Sequence, residues 1–348
     1  MRTSSVSHGP LADGKRVVRE VAAAVGLLEG EPGVRAVLAA LARLEPVSTR
    51  RLSRAVELPV PIVASVCGEL RKRGVVAEER PTQLTTTGRA FFSIGELRLE
   101  RRARCPECAG RAIVIPPGLS RVVRAIARDA RHAPPPRLDL DQCHCTVETK
   151  LRRVLAFHEA DTLVGRRILF LGDDDLTSLA VRSLVDEIGS ASTILRLAVV
   201  DIDPAIIAFV EKKLLGARFP TSCLQHDLRL PLPTDWESAF DTVVTDPPFT
   251  VEGARLFLSW AVEAVGASGG DVFFSFGSKR PGASFQVQQA IAQMGFVIRR
   301  FDRDFNEYLG AGVLGGTSHL YHLRATGEHR PLVTGTFDAP LYTASARF

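Results

Sequence analysis

Three consecutive carboxylates, Asp173, Asp174 and Asp175, follow Gly172 in the segment RRILFLGDDDLTS, and a fourth, Asp246, opens the run Asp246-Pro247-Pro248-Phe249. A phosphate-binding turn at the first position would offer glycine amides to an anion. Three acids repel phosphate, so this loop is built to meet a cation, with one of Asp174 and Asp175 expected to cap the following helix. In the second loop Pro247 and Pro248 cannot donate hydrogen bonds, which leaves a carboxylate and exposed carbonyls. Acceptors without donors suit an amine nucleophile: they orient its N–H groups and leave the lone pair free for an electrophile. Phe249 adds an aromatic face for a cationic or planar partner.

Two more loops carry acids. In LAVVDIDP either Asp203, just before Pro204, or Asp201 stands where an acid accepts ribose hydroxyls. In LQHDLRLPLP, Asp227 is placed to accept from an adenine amino group, or else to pair with Arg229 as an ordinary loop acid. Taken together the four loops fit a nucleoside sulfonium beside an amine acceptor, the positive sulfur and neutral adenosine accounting for the missing phosphate cradle. The reaction class is alkyl transfer by in-line displacement at a carbon on sulfur, helped by positioning and by keeping the amine deprotonated.

The cysteines suggest a second chemistry. Cys105-x2-Cys108 and Cys143-x-Cys145 are two tight thiolate pairs, spaced for a tetrahedral structural zinc, with iron possible in the same cage. His144 lies between two ligands of that site and is read as a bystander, while Cys67 and Cys223 are expected in the core.

These loops need a scaffold. Apolar runs of strand length at 168–171, 197–200, 242–244 and 272–275, with a further pair at 296–301 and 319–324, alternate with helical stretches at 176–188, 204–215, 252–265 and 284–294. That alternation predicts an α/β fold, a doubly wound Rossmann-like sheet of the class I methyltransferase type, over 150–327. Ahead of it, 1–100 reads as an α+β winged-helix domain, with helices at 17–28 and 33–43, Ser48 capping the next and a β-hairpin closing the segment. Residues 101–149, beginning with Arg101, Arg102 and Arg104, form the cysteine knuckle, and 328–348 shows no period, as a flexible tail or lid would.

Charge separates these parts. Lys and Arg outnumber Asp and Glu by 18 to 11 over residues 1–104 and by 6 to 5 over 105–149, but 150–348 holds 20 against 23. The basic excess is N-terminal, so the acidic part is a poor nucleic-acid groove. The candidate winged helix presents mostly Pro, Val, Ala and Ser before Arg71, Lys72 and Arg73, which favours packing or a homodimer over reading bases. No long apolar run or signal-like N-terminus is present, and a cytoplasmic location is expected.

On Gly172-Asp173-Asp174-Asp175 followed by Leu176-Thr177-Ser178, and on Asp246-Pro247-Pro248-Phe249-Thr250, the sequence resembles the branched-chain polyamine synthase family of aminopropyltransferases. The resemblance implies transfer of aminopropyl groups from decarboxylated S-adenosylmethionine to the central nitrogen of spermidine, once and then again, releasing methylthioadenosine. It implies Asp173 as the base or amine-orienting group assisted by Asp246, Asp174 and Asp175 as ammonium anchors, Asp203 at the ribose and Asp227 at the adenine. Glu159 and Glu252 are further candidates for distal amines. The competing expectations are an amino-group methyltransferase acting on nucleic acid and a winged-helix regulator that senses a nucleoside or polyamine.

Overall fold

A computed structural model describes residues 10–92, 105, 107–108, 110–189, 194–266, 269–277, 280–310 and 313–343; Arg101, Arg102, Arg104 and the expected boundary at 100/101 lie outside the described residues. The chain divides into two compact units, Met1–Ala103 with Ala311–Gly316, and Arg104–Gly310 with Thr317–Phe348.

The first unit is helical: α1 (Pro10–Val25), α2 (Gly30–Leu44), α3 (Thr49–Val56), α4 (Val60–Lys72) and α5 (Thr86–Phe92). Its helical apolar spacing closes one core, in which Val37, Leu52, Val63, Val66 and Leu70 are fully buried. Ser48 caps α3 by accepting from the Arg51 N–H at 3.3 Å. Where the hairpin is expected the pairing is short: Val76 bridges Leu84 antiparallel, flanked by donation from the Ala77 N–H to the Gln83 carbonyl and from the Thr85 N–H to the Val75 carbonyl, and a second bridge joins Val47 to Thr82.

The second unit is built on one seven-stranded sheet, with β1 (Arg166–Leu171), β2 (Ile194–Asp201), β3 (Thr221–Gln225), β4 (Thr242–Thr245), β5 (Asp271–Phe276), β6 (Phe296–Glu307) and β7 (Thr317–Ala325) in the order β3-β2-β1-β4-β5-β7-β6. The first five strands of that order run parallel, and β7 lies antiparallel to both β5 and β6. Strands covered on both faces read as continuous apolar runs; β4 and β5 are buried along their whole length. Successive side chains feed opposite cores: Phe273 joins Phe157 and Val181 on one face, and Phe274 joins Trp260 and Leu323 on the other.

Helices α8 (Thr177–Ile188), α9 (Pro204–Leu214), α10 (Val251–Ala264) and α11 (Pro281–Gln293) lie near the expected stretches, and α6 (Ser120–Arg131) precedes the sheet. The sequence reading did not anticipate α7 (Val147–Glu159), capped by Thr146, whose side chain accepts from the Thr149 N–H. Its apolar stripe of Leu151, Val154 and Phe157 is interrupted by Lys150 and Arg153, which are buried on the same face. Phe157 packs on Phe273 with ring centroids 4.4 Å apart, a contact worth about 0.5–1.5 kcal/mol beyond its buried area.

The C-terminal segment is not free. Leu332 and Val333 donate backbone N–H groups to Ser259 Oγ, Phe337 donates to the Arg229 carbonyl, Thr250 Oγ1 donates to the Leu341 carbonyl, and Thr343 donates its N–H to Asp141. Side chains and loops hold this strap in place of a ladder, which explains its missing period.

Candidate active site

The strand order reverses between β1 and β4, so the loops that follow them diverge and leave the crevice where open α/β sheets bind ligands. Gly172 makes the turn out of β1 with φ +71°, a conformation that a Cβ would strain, and its N–H donates to the Val200 carbonyl of β2. The acids that follow it have three different fates.

Asp173 is the helix cap. It is 1% exposed, and its carboxylate accepts from the Thr177 and Ser178 N–H groups at 2.8 and 3.3 Å and from the Ser178 hydroxyl. Burial nevertheless lifts its pKa to about 7. The capping role expected of Asp174 or Asp175 thus falls to the first acid of the run.

Asp175 is the charge anchor. Its carboxylate accepts from Arg153 Nη1 at 2.7 Å and from the Cys145 N–H at 2.5 Å, while Lys150 Nζ donates to its carbonyl. Burial acts to raise its pKa, but Arg153 and Lys150 outweigh that and hold it at about 2.

Asp174 is surrounded by other acids. It is half-buried and accepts the Cys143 N–H at 3.0 Å; burial, followed by the fields of Asp175, Asp201 and Asp246, pushes its carboxyl well above the usual range. A carboxylate in that position gains most from a bound cation.

Asp246 closes the crevice from β4. Its Oδ2 accepts from Arg153 Nη2 at 2.7 Å and from the Tyr308 hydroxyl at 2.6 Å, and the neighbouring Asp175 carboxylate adds to the rise of its pKa. Burial lifts Asp246 to about 7 against the pull of Arg153. Pro247 is buried, Pro248 accepts the Thr250 N–H, and Phe249 stands between Phe276 and Tyr308 with centroids 5.4 and 6.1 Å away.

Asp201 accepts the N–H groups of Asp173 and Asp203 on its two oxygens, tying the first loop to the second. Asp203 caps α9 through the Ala205 N–H at 2.8 Å and accepts from Gln142 Nε2 at 3.2 Å. Asp227 gives its carboxylate to Arg229, which donates to both oxygens, so its expected adenine contact competes with a formed ion pair. Glu252 stands in the first turn of α10. Glu159 is 57% exposed and faces Arg300 at 3.6 Å; it lies at the far end of α7 from the loops that carry the site.

The zinc expectation gains no support from the described residues. Among the described residues, no group of three or more His, Cys, Asp or Glu side chains is arranged to hold a metal ion. Cys105 and Cys108 do hydrogen-bond to each other. Cys143, however, turns its thiol to the Leu309 carbonyl at 3.2 Å, and Cys145 is buried beside Asp175, where burial and that carboxylate push its thiol far up. The second pair is thus built into the wall of the acidic crevice. His144, expected to be a bystander, spans the Asp174 and Pro134 carbonyls.

Lys150, Arg153, Asn306 and Tyr308 were missed by sequence reasoning. The one signal that would have found the first two is a pair of cations lying in the apolar register of a helix, since Lys and Arg are almost never fully buried unless paired. Asn306 is the only asparagine in the chain.

The model for the branched-chain polyamine synthase A C-terminal domain matches residues 119–326. This chain belongs to the branched-chain polyamine synthase family. It is 30% identical over 266 residues to N(4)-bis(aminopropyl)spermidine synthase of Thermococcus kodakarensis, covering 75% of this chain and 74% of that one. It is 34% identical over 311 residues to an uncharacterised protein of Methanocaldococcus jannaschii, covering 88% and 77%. The crystal structure of the family member from Thermus thermophilus, in complex with N4-aminopropylspermidine and 5′-methylthioadenosine, superposes with a TM-score of 0.73 at 26% identity, covering 97% of this chain and 98% of that one. The family is thus one of transferases with a Rossmann-like sheet, and the crevice between β1 and β4 is the place to seek its chemistry. No helix among the described residues is long and apolar enough to cross a membrane.

Proposed function

We propose that this protein transfers aminopropyl groups from decarboxylated S-adenosylmethionine to the central nitrogen of spermidine, giving N4-aminopropylspermidine and then N4-bis(aminopropyl)spermidine, with methylthioadenosine as the other product. The observation that carries this reading is the charge balance of the crevice: Asp173, Asp174, Asp175, Asp201 and Asp246 converge there, and Lys150 and Arg153 are the buried cations beside them. Such a site favours a ligand pair bearing sulfonium and ammonium charges and disfavours a phosphate backbone.

The step is a displacement. The central nitrogen gives up a proton, its lone pair attacks the methylene carbon on sulfur, a C–N bond forms, and the C–S electron pair leaves with the neutral thioether. The first transfer makes a tertiary amine and the second a quaternary ammonium, so each needs one proton removed before attack. Asp246, whose pKa burial lifts to about 7, is assigned that proton. Asp174 anchors an ammonium group of the acceptor. Asp173, assigned the base on sequence grounds, instead shapes the loop through α8, and the peptide it fixes aims Asp174. Asp203 keeps free lone pairs for ribose hydroxyls while capping α9. The strap over 332–343, tied to Thr250 beside the Asp246 loop, is assigned the part of a cover over the crevice.

Incubation with decarboxylated S-adenosylmethionine and spermidine, followed by mass spectrometry, should show one and then two added aminopropyl groups. Methyl transfer from S-adenosylmethionine to RNA or DNA, with no aminopropyl transfer, would refute the reading. The regulator reading gains little support from the first unit. Arg71 Nε donates to the Ala77 carbonyl, and Lys72 and Arg73 are both paired with Glu69, so the basic end of α4 is engaged within its own unit.

A further inference from the structure

The acids of the crevice do not account for the buried polar network behind Asp246. Asn306 is fully buried on β6, just past a register shift that follows Asp302 and re-aims the strand. Its Oδ1 accepts from Arg153 Nε at 2.8 Å, and its Nδ2 donates to Ser318 Oγ at 2.8 Å and to Ser275 Oγ at 3.1 Å. The amide orientation is forced, because a guanidinium has only donors. Ser318 Oγ, already accepting from Asn306, lies 2.8 Å from the Tyr308 hydroxyl. That hydroxyl spends its one hydrogen on Asp246 Oδ2, so Ser318 must donate to it. The chain of donors therefore runs from Asn306 through Ser318 and Tyr308 to Asp246 Oδ2, and Arg153, held by Asn306, donates to the same oxygen.

We infer that Asn306 and Tyr308 are positioning residues for the transfer: they direct the Arg153 and tyrosine donors onto one oxygen of Asp246, so that its other oxygen exchanges the proton of the reacting amine. This rests on the aminopropyl-transfer reading for its catalytic meaning and on the hydrogen-bond geometry for everything else. Asp246 faces Arg153 from α7, Asp174 and Asp175 from the loop after β1, and Tyr308 from the end of β6, while Lys150 reaches the same loop through the Asp175 carbonyl. Of these, the Tyr308 hydroxyl can be deleted with the least disturbance of charge.

Tyr308→Phe removes one donor from the Asp246 carboxylate, so the acidic limb of the kcat/KM profile should move up by about one pH unit, with activity recovering on the alkaline side. Asn306→Asp keeps the acceptor for Arg153 but reverses the donors to the serines and adds a third carboxylate to share the guanidinium; the limb should move the same way. Thermal melts show whether each variant is folded. The second readout needs no activity: in the ligand-free protein the Asp246 carboxyl resonance, identified by its loss in Asp246→Asn, should titrate about one unit higher in Tyr308→Phe. An unmoved resonance overturns the inference. So does an equal loss of rate at every pH in both variants, which is what a purely structural role produces. If the wild type transfers no aminopropyl group but the resonance moves, the inference stands and the functional reading falls.

Discussion

Arg153 lies between Asp175 and Asp246, 2.7 Å from a carboxylate oxygen of each, with its own side chain 2% exposed. One guanidinium thus holds two acids that come from different strands, and the two carboxyls behave oppositely: Asp175 stays ionised, and Asp246 titrates near neutrality. Loss of one member of a buried ion pair leaves a charge without a partner. Arg153→Met should therefore destabilise the second unit by about 3–5 kcal/mol and abolish transfer, as read by urea unfolding and by product formation. Arg153→Lys should keep part of the stability but not the two-sided grip, since an ammonium lacks the planar fork.

The pH response carries opposite signs for the two acids. The Asp175 contribution to stability is present above its unfolded value of about 3.9 and is lost as pH falls through about 2. For Asp246 the folded state prefers the protonated form. Its contribution is complete below about 3.9 and is lost as pH rises through about 7. Asp246→Asn should flatten the decline in melting temperature between about pH 4 and 7 while eliminating transfer. A decline unchanged from the wild type would show that another group titrates there.

On the proposed reading Asp174 binds the amine at a cost to the fold. Its carboxyl is raised well above the ordinary range by burial and by three neighbouring acids. Asp174→Asn removes that repulsion and should add roughly 1–2 kcal/mol of stability at neutral pH while weakening amine binding. Calorimetric melting together with KM for the amine checks both halves of this expectation, and a destabilised variant would contradict it.

The strap can be lifted without touching an acid. Leu341 is 4% exposed, and its carbonyl accepts from Thr250 Oγ1 beside the Asp246 loop. Leu341→Asp buries a charge with no cation supplied for it, so residues 332–343 should become protease-sensitive while the sheet keeps its cooperative melt. Transfer should fall mainly through a higher KM for the amine.

Sequence alone was enough for much of the scaffold and for the location of the chemistry. Strand-length apolar runs and turn residues are local signals, so the sheet and the acid-bearing loops at its strand ends were legible. Helix α7 was not, because Lys150 and Arg153 break the apolar stripe that would have announced it. The strap was read as a tail because loops hold it and no ladder imposes a period. The two cysteine pairs suggested zinc through spacing alone, which cannot show that the Cys143 and Cys145 side chains turn elsewhere. What only the tertiary structure decided is the division of labour among the acids. Arg153 meets Asp246 across 93 residues of sequence and Asn306 across 153, and no local pattern encodes contacts of that range. Identical carboxylates became a helix cap, a partner of Arg153 held ionised and two acids with raised pKa because burial and the reach of two cations differ at each, and those are properties of packing.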